Sequence, residues 1–206
     1  MALIHRAQIS PTKLELLEGW LPSREWAGDI GGSGLERVAA YRFDDPAGEV
    51  GVETLLVRAG DGPVLQVPLT YRGSPLDGGD SWLVGTCEHS VLGRRWVYDA
   101  VGDPVYAAAL AKAILGGEGQ AQEFFETDGR LEPRPLSMTI VVGGPEGERP
   151  AEQVVPGDPA RVVAEGAEFA VVRRVGGGWA GDGLRLSGSW SGQPALVPLV
   201  FAENVE

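Results

Sequence analysis

The side chains best suited to contacting another molecule fall in two short segments, residues 62–72 and 81–99. These segments carry arginine and aromatic residues; aromatic rings stack on apolar surfaces, and guanidinium groups donate hydrogen bonds to polar ones. The same residue types also fill cores and pair with carboxylates, so a structural role stays open for each of them. The candidates for contacting a ligand or a partner are Gln66, Tyr71, Arg72, His89, Arg94, Trp96, Tyr98 and Asp99.

Motifs for phosphoryl transfer are missing from the sequence. Such chemistry needs a metal-holding carboxylate, an aspartate base and a Lys or Arg on the phosphates. Neither a His-x-Asp-x4-Asn loop nor a Gly-x4-Gly-Lys-Ser/Thr loop occurs. Residues 176–181 match Gly-x-Gly-x-x-Gly, but no helix is predicted after them, so we expect a hairpin turn there. The sequence therefore predicts no catalytic residue and no cofactor.

The sequence also predicts no metal site. The two histidines, His5 and His89, lie far apart, and the single cysteine, Cys87, is the one further ligand close in sequence to His89. Cys87 and His89 would share a strand face, which is a poor setting for a nucleophile and its base. A small buried thiol beside a hydrogen-bonded histidine is therefore the expected arrangement. One cysteine cannot form an internal disulfide.

Composition excludes several classes of protein. The chain has 206 residues, 43% of them apolar and 22% charged, which is typical of one globular domain with or without a smaller appendage. Its formal charge of −12 repels phosphate backbones and anionic lipids, so neither nucleic acid nor a membrane is an expected partner. No apolar run is long enough to span a bilayer, and residues 1–6 hold too short a run for a signal peptide. We therefore expect a cytoplasmic protein.

The elements that must position the candidate residues are mostly strands. Apolar and polar positions alternate over residues 62–72, which predicts one row facing a core and one polar row. Pro68 donates no hydrogen bond, so it predicts an edge strand or a bulge. The two rows are Leu65, Val67, Leu69 and Tyr71 against Gln66, Pro68, Thr70 and Arg72.

One clear helix is predicted to begin at Asp103 and Pro104 and to end before Gly116, because aspartate caps the first turn and proline fits the first helical position. Ser10 and Pro11 begin either a short helix or a second strand, and residues 119–125 favour a weaker helical piece. The other segments predicted as strands are 2–9, 35–43, 49–58, 81–89, 94–99, 136–142, 160–165, 167–175, 183–190 and 195–201. Glycine-containing turn sequences at 44–48 and 60–62 predict that 35–43, 49–58 and 62–72 form an antiparallel meander. The fold class predicted from this pattern is α+β and mainly β.

Three segments share their order and spacing with one protein family. They are residues 20–28 (WLPSREWAG), 64–72 (VLQVPLTYR) and 95–100 (RWVYDA), the last leading into Asp103 and Pro104. Together they resemble the N-terminal cap of maltokinase-type sugar kinases over about residues 1–116. The resemblance implies a cap similar to the cystatin-like fold, with a curved antiparallel sheet and one packed helix. The chain departs from the kinases at Ala27 and Asp29, where they tend to carry an aromatic residue and a lysine, so this loop is not expected to face phosphate.

What the resemblance implies is a protein of maltose, trehalose and glycogen metabolism without a kinase body. We expect a cap-like domain at residues 1–130 and a β-rich C-terminal extension or second sheet at 131–206. The leading hypothesis is a non-catalytic binding or regulatory protein whose partner is a kinase-like protein or a carbohydrate. Two alternatives stay open. One is an enzyme of α-glucan metabolism with a carboxylate pair, for which Asp99 and Asp103 are available; the other is a structural oligomerisation module, hence a homo-oligomer.

Overall fold

The computed structural model describes residues 2–4, 7–30, 34–127, 130–144, 155–177 and 183–204. Strands make up 49% of the structure, and the two α-helices in these ranges are short, which confirms the predicted mainly β, α+β class. In chain order the elements are β1 (Ala2–Ile4), β2 (Ile9–Ser10), α1 (Lys13–Trp20), β3 (Leu35–Phe43), β4 (Gly51–Ala59), β5 (Leu65–Arg72), β6 (Leu83–His89), β7 (Gly93–Asp99), α2 (Pro104–Leu115), β8 (Glu123–Thr127), β9 (Arg130–Pro133), β10 (Met138–Gly143), β11 (Ala160–Ala164), β12 (Ala167–Val171), β13 (Arg185–Trp190) and β14 (Gln193–Asn204).

The largest sheet has six antiparallel strands in the order β2, β6, β7, β5, β4, β3, and it curls into a half-barrel. The strands β3, β4 and β5 form the predicted meander. The turns between them contain Gly48 and Gly60 at φ 72° and 51°, a conformation that glycine adopts without strain. This sheet carries all eight candidate residues.

Helix α1 covers one face of this sheet, here called the inner face. The sequence was compatible with either a helix or a strand here, and the structure has a helix. A capping box stabilises its first turn: the Thr12 hydroxyl accepts from the Glu15 N–H at 3.3 Å, and the Glu15 carboxylate accepts from the Thr12 N–H at 2.7 Å. Ser10, the cap that the sequence suggested, lies in β2 instead. The helix buries Leu17 and Trp20. They pack with a group of inner-face residues: Leu55, Val57, Leu65, Val67, Leu69 and Val97.

Helix α2 confirms the predicted helix and lies on the opposite, outer face of the sheet. Asp103 caps it by accepting from the Val105 N–H at 2.9 Å, and Pro104 occupies its first turn. The buried side of the helix, including Leu110, packs against outer-face residues such as Tyr41. The helix therefore packs between the outer face of the six-stranded sheet and the C-terminal strands.

The second sheet has five antiparallel strands in the order β10, β13, β14, β12, β11. Its buried residues, among them Met138, Phe169 and Leu199, belong to the same apolar core as Tyr41 and Leu110. This sheet, the outer face of the six-stranded sheet and α2 are thus packed around one core.

A small third sheet corrects two predictions. The helical piece expected at 119–125 is wrong, because residues from Glu123 onward form β8, which pairs in parallel with β1 and antiparallel with β9. The backbone is already extended before this strand, where the Ala121 N–H donates to the Arg42 carbonyl at 2.8 Å. The single strand predicted at 2–9 is divided between β1 and β2, which belong to different sheets.

Most of the β5 row that was predicted to lie on a polar face is buried, and Arg72 at its end is half-buried. Gln66 and Thr70 are both fully buried, because α2 and the second sheet cover the outer face at this point. Pro68 lies in an interior strand of the sheet, where the sequence predicted an edge strand or a bulge. At this one position, however, the strand is unpaired on one side. Beside it, the Gln66 N–H donates to the Arg173 carbonyl at 2.8 Å, and pairing with β7 begins at Leu69, so one side of Pro68 needs no donor.

Replacing Tyr106 of α2 by phenylalanine is expected to raise the free energy of unfolding by up to about 1 kcal/mol. The ring is fully buried, and among the described residues its hydroxyl has no hydrogen-bond partner. Tyr98→Phe is the matched control, since the buried Tyr98 hydroxyl accepts from the Leu76 N–H at 2.9 Å and its removal should cost about 1 kcal/mol. Urea denaturation measures both changes. A loss for Tyr106→Phe as large as that for Tyr98→Phe would contradict the expectation.

Within the described ranges, neither helix has the length and apolar character needed to cross a bilayer.

Candidate functional site

The structure gathers part of the candidate set on one exposed surface, here called the hairpin face. Cross-strand partners share a sheet face, so the register of β5, β6 and β7 defines its members. Trp96 lies opposite both Arg72 and Thr86, Arg94 lies opposite Glu88, and Leu83 lies opposite the buried Tyr98. The hairpin face therefore consists of Arg72, Leu83, Thr86, Glu88, Arg94 and Trp96, with Tyr98 beneath it.

Arg72 is held rigidly at the border between the hairpin face and α2. Its Nε and Nη2 donate to the two oxygens of Asp103 at 2.7 and 2.6 Å, and the Thr70 hydroxyl donates to the same carboxylate at 2.7 Å. Burial by itself would raise the pKa of Asp103, but the hydrogen bonds from Arg72 and Thr70 keep it below its ordinary value. Such a bidentate pair fixes the guanidinium plane, so Arg72 presents a preorganised edge beside Trp96.

Arg94 and Trp96 are the accessible members of the predicted set. The Arg94 Nε donates to the Glu88 carboxylate at 2.7 Å, and both side chains are more than half exposed. A pair in this position contributes little to stability, so both groups can exchange it for another partner. Trp96 is half-buried. An aromatic ring between an arginine and a hydroxyl is suited to contacting a partner.

Gln66 is not part of an accessible site, although the sequence placed it among the candidates. Its Nε2 donates to the carbonyls of Val172 and Leu199 at 2.7 and 2.9 Å, and its Oε1 accepts from the Tyr41 hydroxyl at 3.2 Å. These partners belong to the second sheet and to the outer face of the first. Gln66 therefore joins the two sheets.

Asp99 also joins two parts of the chain. Its partner is Arg173, which was not among the residues predicted for the site. The Nη2 of Arg173 donates to both Asp99 oxygens at 2.9 and 2.6 Å, and both side chains are almost fully buried. The guanidinium lies 4.7 Å from the centre of the Trp26 ring, a cation–π distance. The one signal in the sequence was an arginine directly after the apolar run Phe169–Val172. Asp99 and Arg173 form a buried ion pair between the first sheet and the C-terminal part of the chain.

Tyr71 lies on the inner face in a buried polar cluster around Glu53. The Glu53 carboxylate pairs with the Lys13 ammonium and lies 3.5 Å from the Arg42 guanidinium. The Lys13 ammonium also sits 5.1 Å from the centre of the Tyr71 ring. Burial, followed by the negative charge of Glu53, raises the pKa of the Tyr71 phenol well above its ordinary value. This cluster holds α1 on the sheet.

Acid should weaken the fold through Glu53. Burial opposes its charge, yet Lys13 and Arg42 lower its pKa from 4.5 to about 2. Because the folded value is depressed, the stabilisation is complete above pH 4.5 and is lost as the pH falls towards 2, by up to about 3 kcal/mol. Urea denaturation between pH 6 and 2 measures the free energy of unfolding. This free energy should fall less with decreasing pH for Glu53→Gln than for the native chain. Parallel declines would contradict this.

His89 is hydrogen-bonded within a turn, and Cys87 is buried. The His89 Nδ1 accepts from the N–H groups of Val91 and Leu92 at 3.2 and 3.1 Å, so the ring shapes the β6–β7 turn. Burial raises the pKa of the Cys87 thiol, which makes it a poor nucleophile. Among the residues that the structure describes, no group of three His, Cys, Asp or Glu side chains could hold a metal ion. The Gly-rich motif at 176–181 falls largely outside the described residues.

The carboxylates available for the glycosidase alternative have other partners. Asp99 is paired with Arg173, and Asp103 with Arg72 while it caps α2. A general acid in such chemistry needs a raised pKa and access to the substrate, but the pKa of Asp103 is lowered and both groups are buried. These two residues are therefore suited to holding the fold together.

Comparison with known proteins agrees with the resemblance seen in the sequence. Residues 20–103 match the family model of the maltokinase N-terminal cap domain. This range begins at the last residue of α1, contains β3 to β7 and ends at the residue that caps α2. A search of curated proteins finds no significant match. Residues 20–103 are therefore similar to the maltokinase N-terminal cap domain, and they contain the whole hairpin face.

Proposed function

We propose that this protein is a cytoplasmic, non-catalytic binding or regulatory protein of α-glucan, trehalose or maltose 1-phosphate metabolism. Its first partner in this proposal is a kinase-like enzyme, which the cap-like domain contacts. The observation that carries the proposal is the cap-like domain at residues 20–103, whose Trp96 and Arg94 remain accessible at the surface. Tryptophan and arginine are the residue types that most often dominate binding energy at protein interfaces.

Affinity capture tests the proposal. The full chain, tagged and expressed in the cells that make it, should retain an enzyme of maltose, trehalose or α-glucan metabolism, identified by mass spectrometry. The purified enzyme should then bind the purified protein and change its rate on adding it. Recovery of no such enzyme, or no change in rate after complex formation, would count against the proposal.

A carbohydrate is the second candidate ligand, because Trp96 lies between Arg72 and Thr86 across three neighbouring strands. A ring with polar groups on both sides suits a sugar, whose apolar face stacks while its hydroxyls form hydrogen bonds. Thermal unfolding against maltose, trehalose, glucosamine, glycogen fragments, maltose 1-phosphate and ATP with magnesium decides this, since a ligand of the folded state raises the midpoint. A rise with any sugar that Trp96→Ala abolishes would support it, and no rise would reject it.

A further inference from the structure

The third sheet leaves one side of β9 open. This strand, Arg130–Pro133, pairs with β8 on its other side, and all four of its residues are exposed. The Arg134 N–H donates to the Glu123 carbonyl at 2.9 Å, so the backbone groups of Arg134 and of every second residue before it face β8. The N–H and carbonyl of Leu131 therefore point to the open side of the strand, here called the β9 edge.

Two other sheet edges are closed by the protein itself. At β3, the Ser137 hydroxyl accepts from the Ala40 N–H and donates to the Ala40 carbonyl, both at 2.9 Å. At β10, the Gln120 side chain accepts from the Ile140 N–H at 2.8 Å and donates to the Met138 carbonyl at 3.2 Å. Among the described residues, no group closes the β9 edge in this way. An open edge is a template for pairing with a strand of another chain.

The two faces of β9 differ in their chemistry. Leu131 and Pro133 share one face with Phe124, which lies directly opposite Pro133. Leu131 has 49% of its surface exposed. Arg130 and Glu132 lie on the other face, and within the described ranges neither charge has an ion-pair partner. The β9 edge thus presents an exposed leucine between two opposite charges.

The geometry points to the β9 edge as the contact of a symmetric dimer, in which β9 pairs antiparallel with β9 of a second copy of this chain. In the register centred on Leu131, the two Leu131 residues lie opposite each other and exchange two backbone hydrogen bonds. Arg130 of each copy then lies opposite Glu132 of the other, and opposite charges in this position stabilise a strand pair. A register centred on Glu132 brings two glutamates together instead.

This self-complementarity is the reason why the occupant is a second copy. The sequence Arg130-Leu131-Glu132 matches itself when it is reversed across a two-fold axis, as a symmetric interface requires. The pairing covers the exposed leucines and joins two three-stranded sheets into one of six strands, a usual size for a sheet. Because the contact is short, the dimer is a weak one. The inference goes beyond the proposed function and does not depend on the enzyme partner.

Charge reversal at the β9 edge tests the dimer. Sedimentation velocity of the full chain from about 1 μM to 1 mM should show a monomer–dimer equilibrium. Arg130→Glu and Glu132→Arg each place two pairs of like charges across the two-fold axis, so each should weaken the Kd of the dimer by about tenfold or more. An equimolar mixture of the two variants should form a heterodimer with the native Kd, because both facing pairs are then opposite in sign again.

Arg58→Glu and Glu36→Arg are the matched controls, because they reverse the same charges in an exposed ion pair of the first sheet. Both should leave the Kd unchanged, and thermal unfolding checks that all four variants remain folded. A monomer at every concentration overturns the inference. A dimer that the β9 variants do not weaken, that the controls weaken equally, or that the mixture does not restore uses another surface, and each of these results also overturns it.

Discussion

Replacing Arg173 by methionine is expected to lower the free energy of unfolding by about 3–5 kcal/mol. The substitution keeps much of the side-chain volume but leaves the Asp99 carboxylate buried without its cation. An uncompensated charge in an apolar interior is among the most destabilising changes known for a single residue. Urea denaturation followed by circular dichroism measures the loss.

Arg174→Met is the control, because Arg174 is the neighbouring residue and is only half-buried. Its substitution should cost less than about 1 kcal/mol. The double variant Arg173→Met with Asp99→Leu should recover much of the lost stability, since replacing both members of a buried pair by apolar groups is often neutral. Equal losses for Arg173→Met and Arg174→Met would show that the ion pair does not hold the two parts of the chain together.

Replacing Gln66 by leucine is the second large effect, with an expected loss of about 2–3 kcal/mol. Leucine fills the space but removes the donor to the Val172 carbonyl and the acceptor for the Tyr41 hydroxyl, both in a buried interface. Gln193→Leu is the control: the Gln193 amide donates to the Ala195 carbonyl at 3.1 Å in an exposed position, so its loss should stay within about 0.5 kcal/mol. Similar losses for the two variants would contradict the structural role of Gln66.

Local patterns were enough to predict most elements of the fold. The Asp103–Pro104 pair predicted α2, and the glycines of the turns predicted the β3–β4–β5 meander, because these signals act within a few residues. The strand β8 could not be predicted in this way. Its apolar residues Phe124 and Phe125 also fit a helix, and pairing with β1, which is distant in sequence, decides the outcome.

The candidate site shows the same division between local and long-range information. Alternation along β7 places Arg94, Trp96 and Tyr98 on one face, and the structure has them there. Gln66 and Asp99 looked like site residues because their partners lie far away in sequence: Val172 is 106 residues from Gln66, and Arg173 is 74 residues from Asp99. No pattern within β5 or β7 reveals such a partner. Buried residues that connect distant segments therefore cannot be told apart from exposed binding residues in the sequence.

The proposed non-catalytic role of the protein is tested most directly by one rate measurement. The enzyme recovered by affinity capture is assayed on its own sugar substrate with and without the purified protein, and the purified protein is assayed alone under the same conditions. The expected result is a change in the kcat/KM of the enzyme at a stoichiometric amount of protein, with no turnover by the protein alone. Turnover of maltose, trehalose or an α-glucan by the protein alone, with the enzyme unaffected by it, would contradict the proposal.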